Sequence, residues 1–68
     1  MPMYVVHLRQ WRDRFALTQE QLAERAGINR ATVARAEAGL AIRRTSYQRL
    51  ARALGVGGKP WRLQGPPP

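Results

Sequence analysis

Residues 17–37 read LTQEQLAERAGINRATVARAE, in which two short helical patterns are separated by a glycine. Thr18 is followed three residues later by Gln21, the arrangement of a capping box at the start of a helix. The apolar positions of this helix are Leu22, Ala23 and Ala26. Gly27 suits the left-handed conformation that ends a helix. The sequence therefore predicts a short helix between Thr18 and Gly27.

A second helix is predicted directly after this glycine. Asn29 is a favourable N-cap, and the helical pattern continues through Val33 to Gly39. Two short helices joined by a turn of three or four residues that contains a glycine form a helix-turn-helix. In that motif the second helix is the one that enters DNA. The sequence therefore predicts a recognition helix over about residues 29–38.

The predicted recognition helix has two different sides. At about 100° per residue, Val33, Ala36 and Glu37 share one side. The opposite side carries Arg30, Ala31, Ala34, Arg35 and Ala38. Its alanines leave a slim surface between the arginines, which suits a major groove about 12 Å wide. The residues expected to contact DNA bases are Arg30, Ala31, Ala34 and Arg35. The alternatives are that either arginine binds phosphate, or that this side is a solvated alanine-rich face.

Polar residues on both sides of the recognition helix are candidates for contacts with the DNA backbone. Thr18 and Gln19 open the preceding helix, whose N-terminus offers free N–H groups and the positive end of a dipole to a phosphate. Arg43 and Arg44 follow the recognition helix in a loop, from which long side chains reach a second phosphate strand. The simpler alternatives are a helix cap at Thr18 and a solvated charge pair at Arg43 and Arg44.

Two further helices are predicted around this motif. Tyr4, Leu8, Trp11 and Phe15 have helical spacing and indicate a first helix over residues 4–15, although Val5 and Val6 also suit a short edge strand. Thr45 and Gln48 repeat the capping-box pattern at the start of a fourth helix. The apolar positions of this fourth helix are Tyr47, Leu50 and Leu54, and it ends at Gly55.

The remaining residues, 57–68, are rich in glycine and proline, with Trp61 and Leu63 as large apolar side chains. Such a composition predicts a mostly irregular tail. The fold class predicted from the sequence is an all-α, compact bundle of four or five short helices. One domain is expected over residues 3–56, followed by the tail.

The charge of the chain is strongly unbalanced. Lysine and arginine together number 12, aspartate and glutamate only 4, and the formal net charge is +8. Such a charge favours a polyanionic partner. All the basic residues except Lys59 are arginines, which bind phosphate or guanine bidentately. A GC-rich genome would also favour arginine over lysine, but it does not explain the small number of acidic residues.

Several classes of site are not expected. The chain has no cysteine, which excludes a disulfide scaffold and a thiolate zinc site. His7 and the few carboxylates do not form the spacing of an acid–base pair or a metal site, so we expect no enzyme activity, no metal and no cofactor. No signal peptide and no run of ~18 apolar residues is present, so we expect a cytoplasmic protein that acts at the nucleoid, with no membrane partner.

The chain resembles the Cro and phage-repressor type of helix-turn-helix, the xenobiotic-response-element (XRE) family, over about residues 4–56. The resemblance is carried by Leu17 to Val33, by Glu37-Ala38-Gly39 and by the ending LARALGV at residues 50–56. It implies a lambda-repressor-like bundle, no enzyme activity and transcriptional control through binding of operator DNA, commonly as a dimer.

The resemblance also assigns roles to individual residues. Base contacts map onto Arg30, Ala31 and Arg35. Asn29 and Gln19 lie near phosphates or adjacent bases, and Thr32 joins the expected backbone contacts. An ion pair between Arg12 and Glu37 is a further implication, and it would account for a glutamate on the inward side of the recognition helix.

The sequence departs from the family pattern in places that bear on function. Ala38 stands where many members have a backbone-contacting asparagine, and Ile42 and Arg43 stand where many have a proline, which shifts the expected contacts to Arg43 and Arg44. No fifth helix is obvious. The surfaces left for a dimer are the fourth helix and the tail with Trp61, because the second and third helices face the DNA and the first helix carries the largest core stripe.

The function predicted from the sequence is a sequence-specific transcriptional regulator, a repressor or controller. It is expected to bind double-stranded DNA as a homodimer on a pseudo-palindromic operator, with a free protein that is either monomeric or dimeric. The alternative is an antitoxin or interaction module that binds a partner protein through its C-terminal tail, with Trp61 and Leu63 as anchors. A third possibility is nonspecific coating of DNA.

Overall fold

Four α-helices and a short 3-10 helix make up the computed structural model, which describes residues 2–68. The helices are α1 (Leu8–Arg14), α2 (Gln19–Ala26), α3 (Arg30–Glu37) and α4 (Arg44–Ala53), followed by the 3-10 helix Pro60–Gln64. Extended pairing within residues 2–68 is limited to an isolated antiparallel bridge between Met3 and Ile42. This architecture confirms the predicted all-α bundle.

The turn between α2 and α3 is fixed by local interactions that the sequence predicted. Oγ1 of Thr18 accepts from the N–H of Gln21, and Oε1 of Gln21 accepts from the N–H of Thr18, so the capping box is complete. Gly27 ends α2 with a φ of +70°, a backbone conformation that residues with a Cβ rarely adopt. Oδ1 of Asn29 accepts from the N–H of Ala31 at 2.8 Å and caps α3. Both boundaries of the turn are therefore set by neighbouring residues.

The first helix is shorter than predicted, because a bridge at Met3 and a turn at Val6 and His7 precede it. Met3 exchanges two backbone hydrogen bonds with Ile42, and Val5 is buried in the core. Leu8 and Trp11 are buried as expected, but Tyr4 is 52% and Phe15 41% exposed. The prediction that Tyr4 and Phe15 belong to the first helix with Leu8 and Trp11 was wrong, since α1 begins at Leu8 and ends at Arg14.

The start of α4 also differs from the prediction. The helix begins at Arg44. Its N-cap is Arg43, which has an extended backbone and makes no side-chain hydrogen bond to cap the helix. Thr45 therefore lies within the first turn, and the second capping box was wrong. The bridge to Met3 holds Ile42 in the core, so the chain enters the helix almost immediately after that residue.

The core lies where the helices meet, and it includes residues from outside them. Its buried members are Val5, Leu8, Trp11, Leu22, Ala23, Ala26, Val33, Ala36, Ile42, Tyr47, Leu50, Ala51, Leu54 and Leu63. Every apolar position predicted for α2, α3 and α4 is among them. Small chains bury a limited share of their surface, so the contributions of loop residues such as Val5 and Ile42 matter.

The C-terminal segment is ordered against the core, and the prediction of a mostly irregular tail was wrong for residues 60–64. Leu63 is fully buried. Nε1 of Trp11 donates to the carbonyl of Gly65 at 2.8 Å, and the hydroxyl of Tyr47 donates to the carbonyl of Pro60 at 2.6 Å. A five-residue helix is too short to show a periodic pattern, so composition alone misses it.

The roles of the two large apolar side chains in this segment can be separated by mutation. We expect Leu63→Ala to lower the free energy of unfolding by about 3 kcal/mol, because it leaves a cavity under the 3-10 helix. Trp61→Ala should change it by no more than about 0.5 kcal/mol, because that side chain is largely exposed. Urea unfolding followed by circular dichroism measures both. Equal midpoints for the two variants would contradict an ordered tail.

Candidate nucleic-acid interface

The exposed side of α3 carries the residues that the sequence placed there. Val33 and Ala36 are fully buried, which fixes the rotation of the helix about its axis. The exposed residues on the other side are Arg30, Ala31, Ala34, Arg35 and Ala38. Since an alanine side chain ends at its Cβ, this surface stays close to the helix backbone and only the arginines extend beyond it.

Arg30 is the first residue of α3, directly after the Asn29 cap. It is exposed, and within residues 2–68 its guanidinium makes no hydrogen bond or salt bridge. The first turn of a recognition helix is the part that usually reaches base edges. Arg30 is therefore free to contact a ligand that approaches α3 from outside.

Arg35 contacts the loop that follows α3. Its Nη2 donates to the carbonyl of Ala41 at 3.4 Å. Arg35 lines an open groove of about 760 Å³, which is also lined by Thr32, Arg43, Arg44, Pro2 and Ser46. We call this the arginine groove. It brings one predicted base contact together with three predicted backbone contacts, which favours the phosphate alternative for Arg35.

Pro2 and Ser46 of the arginine groove were missed by sequence reasoning. Ser46 lies in the first turn of α4. Because the sequence analysis predicted a capping box starting at Thr45, it did not predict the position of Ser46 at the groove. Pro2 reaches the groove because the next residue, Met3, pairs with Ile42. No local sequence pattern predicts the pairing of Met3 with Ile42.

The N-terminus of α2 is the other region that the sequence predicts to contact the DNA backbone. The capping box occupies the N–H of Gln21 and leaves the N–H groups of Gln19 and Glu20 without intrahelical acceptors at the positive end of the dipole. The Thr18 hydroxyl accepts one bond and keeps its own hydrogen for donation. Capping and phosphate binding at Thr18 are thus compatible.

An ion pair between Arg12 and Glu37 joins α1 to α3 behind this surface. Nε of Arg12 donates to Oε2 of Glu37 at 2.7 Å, and Nη2 donates to Oε1 at 3.0 Å. The two side chains are only 15% and 10% exposed. Such a forked pair is stronger and more directional than a single charged hydrogen bond.

The same two residues hold the segment between α1 and α2. Nη1 of Arg12 donates to the carbonyl of Leu17 at 3.0 Å. Nε2 of Gln19 donates to Oε1 of Glu37 at 3.2 Å. This second bond was not predicted, and it connects a candidate phosphate-binding residue of α2 to the inward side of α3.

The environment of Glu37 keeps its carboxylate charged. Burial alone acts to raise the pKa of this carboxyl group, but the hydrogen bonds from Arg12 and Gln19 outweigh it and the pKa is lowered. The hydrogen bond to Glu37 raises the pKa of Arg12 in turn. The pair is therefore ionised on both sides at neutral pH.

Comparison with known protein families agrees with this geometry. A family model described as helix-turn-helix matches residues 8–59, which is most of the chain. The chain belongs to the helix-turn-helix family. The match confirms the resemblance to the Cro and phage-repressor type and the lambda-repressor-like fold, and it identifies a DNA-binding domain. No curated protein and no solved structure matches the chain significantly.

The part of the chain that the structure describes shows neither a membrane-spanning helix nor a cluster of metal ligands. None of the helices within residues 2–68 is long and apolar enough to cross a membrane. The same residues contain no group of three or more histidine, cysteine, aspartate or glutamate side chains placed to hold a metal ion.

The contribution of the ion pair can be measured with a one-sided change. We expect Glu37→Ala to destabilise the protein by about 3 kcal/mol, because the largely buried guanidinium of Arg12 loses its carboxylate partner. The control is Glu24→Ala, which removes an exposed carboxylate from α2 and should have little effect. Thermal unfolding of both variants tests this. A melting temperature for Glu37→Ala equal to that of the unchanged protein would rule out a stabilising pair.

Proposed function

We propose that this helix-turn-helix protein is a sequence-specific transcriptional regulator that inserts α3 into the major groove of operator DNA. The observation that carries the proposal is the exposed side of α3, a slim alanine surface with a free arginine at its N-terminal end. Occupation of the operator would make the protein a repressor or controller. Its partner is the nucleoid DNA of the cytoplasm.

Base recognition is assigned to the first turns of α3. Arg30 is suited to donate two hydrogen bonds to O6 and N7 of a guanine. Ala31 and Ala34 are small enough to let the helix approach closely and to contact thymine methyl groups. Arg35, which bonds to the loop at Ala41, is assigned to a phosphate at the groove edge instead of a base.

Backbone contacts are assigned to two regions that flank α3. On one side, Thr18, Gln19 and Asn29 offer hydrogen-bond donors around the N-termini of α2 and α3. Capping uses only Oδ1 of Asn29, so its side-chain N–H groups remain free for a phosphate. On the other side, Thr32, Arg35, Arg43 and Arg44 of the arginine groove contact the second strand. Two clamps of this kind would fix the register of α3 on the duplex.

A dimer on DNA completes the proposal. One short helix reads only a few base pairs, too few for selectivity among the ~10⁶ or more competing sites of a genome. Two copies related by a two-fold axis would present their α3 helices about 34 Å apart on a pseudo-palindromic operator. The free protein is proposed to be monomeric, with the duplex bringing the two copies together.

The alternative function as a protein-interaction module is only partly supported. Leu63 is fully buried and cannot act as an anchor for a partner. Trp61 is 65% exposed and remains a candidate. A role as an antitoxin rests on this one side chain, whereas DNA binding is supported by the family match and by the surface of α3.

Salt dependence tests the backbone contacts. The logarithm of DNA affinity should fall linearly with the logarithm of salt concentration, with a slope of about 0.9 per neutralised phosphate. We expect Arg43→Ala to reduce this slope by about one unit, because it removes one phosphate contact. Arg52→Ala removes the same charge from the last turn of α4, and its slope should stay near that of the unchanged protein. A salt-independent affinity would contradict the proposal.

Base recognition is tested by selecting bound sites from a random DNA pool. The unchanged protein should enrich two half-sites one helical turn apart, each with a guanine at a fixed position. We expect Arg30→Gln to cost about 1–3 kcal/mol of operator affinity and to relax the preference at that guanine. Arg25→Gln is a matched control on α2. Enrichment of no sequence at all would indicate nonspecific coating of DNA.

A further inference from the structure

The C-terminal half of the chain is entirely free of acidic residues. All four carboxylates, those of Asp13, Glu20, Glu24 and Glu37, precede residue 38. The basic residues after that position are Arg43, Arg44, Arg49, Arg52, Lys59 and Arg62. The surface formed by α4 and the 3-10 helix therefore carries no carboxylate of its own. Glu24 of α2 lies beside Arg49 and Arg52, on a groove that does not include Arg44 or Trp61.

An apolar groove lies within this basic surface. Trp61, Pro60, Tyr47 and Met3 line a space of about 210 Å³, with Arg44 at its rim. We call it the Trp61 groove. The amides of Gln48 and Gln64 also border it. Within residues 2–68 the indole N–H of Trp61 makes no hydrogen bond, whereas the Tyr47 hydroxyl is already engaged by the carbonyl of Pro60.

The position of Trp61 is fixed although its side chain is exposed. The nearby residue Leu63 is fully buried. The carbonyls of Pro60 and Gly65 accept hydrogen bonds from the side chains of Tyr47 in α4 and Trp11 in α1. An exposed tryptophan on an ordered element is the kind of residue that dominates binding energy at protein interfaces. The groove is smaller than the roughly 300–1,000 Å³ of typical small-molecule sites, so it suits one anchoring side chain of a partner.

We propose that the Trp61 groove binds an acidic protein segment that carries an apolar anchor residue. The anchor would pack on Trp61, Pro60 and Met3, and a neighbouring carboxylate would accept from Arg44 and from the indole N–H. A second copy of this chain is a poor occupant, because it would bring two arginine-rich surfaces against each other, so the dimer expected through the tail with Trp61 is not placed in this groove. The apolar lining likewise favours a protein side chain over a phosphate backbone.

This site is coupled to DNA binding through one residue. Arg44 lines both the Trp61 groove and the arginine groove. An acidic segment that engages Arg44 removes it from a DNA phosphate and places negative charge beside the duplex. The segment therefore weakens operator binding. This coupling rests on the proposed function, whereas the binding of the segment does not.

The test uses fluorescein-labelled synthetic peptides in the absence of DNA. One pool carries a leucine or phenylalanine among aspartates and glutamates, and a matched pool carries asparagines and glutamines in their place. We expect the acidic pool to contain peptides that bind at least about tenfold more tightly than their amide counterparts, as measured by anisotropy. Trp61→Ala should weaken the binding of these peptides at least about tenfold.

Matched variants separate the groove from general charge and exposure. Tyr4→Ala removes another exposed aromatic side chain and should leave peptide affinity unchanged. Arg44→Gln should weaken binding, whereas Arg52→Gln, which removes the same charge elsewhere on α4, should not. In a second assay, bound peptide should lower the affinity for operator DNA of the unchanged protein but not of Trp61→Ala.

Three results would overturn the proposal. The first is that no acidic peptide binds the unchanged protein more tightly than it binds Trp61→Ala. The second is equal binding of the acidic and amide pools. The third is a self-association that sedimentation detects for the unchanged protein and not for Trp61→Ala, which would make a second copy the occupant. Because the anisotropy assay contains no DNA, a failure of operator recognition alone would leave peptide binding at full strength.

Discussion

The ion pair between Arg12 and Glu37 is the interaction that connects the elements of the DNA-binding surface. Arg12 reaches from α1 to the carboxylate on α3 and also holds the carbonyl of Leu17, while Gln19 at the start of α2 donates to the same carboxylate. Both charged groups are largely withdrawn from water, and the forked geometry offsets that loss of hydration. The inward side of α3 is thereby held in place, so its outward side is presented in one orientation.

The rest of the bundle supports this arrangement by enclosing a small core. Val5 and Ile42 enter the core from segments outside the helices, and Leu63 closes it from the C-terminal side. These same segments position the surface residues. The bridge between Met3 and Ile42 lies directly before Arg43, the N-cap of α4, and Arg44, its first residue. The 3-10 helix holds Trp61 beside Arg44. Stability and binding surface therefore depend on the same short segments.

The sequence predicted the parts of the fold that local signals determine. Both ends of the turn between α2 and α3 carry such signals, in the capping box, Gly27 and Asn29. The errors lie where distant residues decide the outcome. Tyr4 and the start of α4 depend on the pairing of Met3 with Ile42, and the order of the tail depends on contacts such as that of Trp11 with Gly65, which are 54 residues apart. The hydrogen bond of Arg35 with the carbonyl of Ala41 likewise involves a loop outside the helix. The partner of Glu37 was expected from family resemblance, since no spacing in the sequence identifies Arg12.

We propose that the side of α3 opposite Val33 and Ala36 is the surface that reads DNA. The most direct measurement is titration of isotope-labelled protein with a selected operator duplex, followed by NMR of every backbone amide. We expect the largest shift changes in α3, in the first turn of α2 and in residues 40–44, with small changes in the 3-10 helix. Large changes confined to α1 or the 3-10 helix, with α3 unaffected, would contradict it.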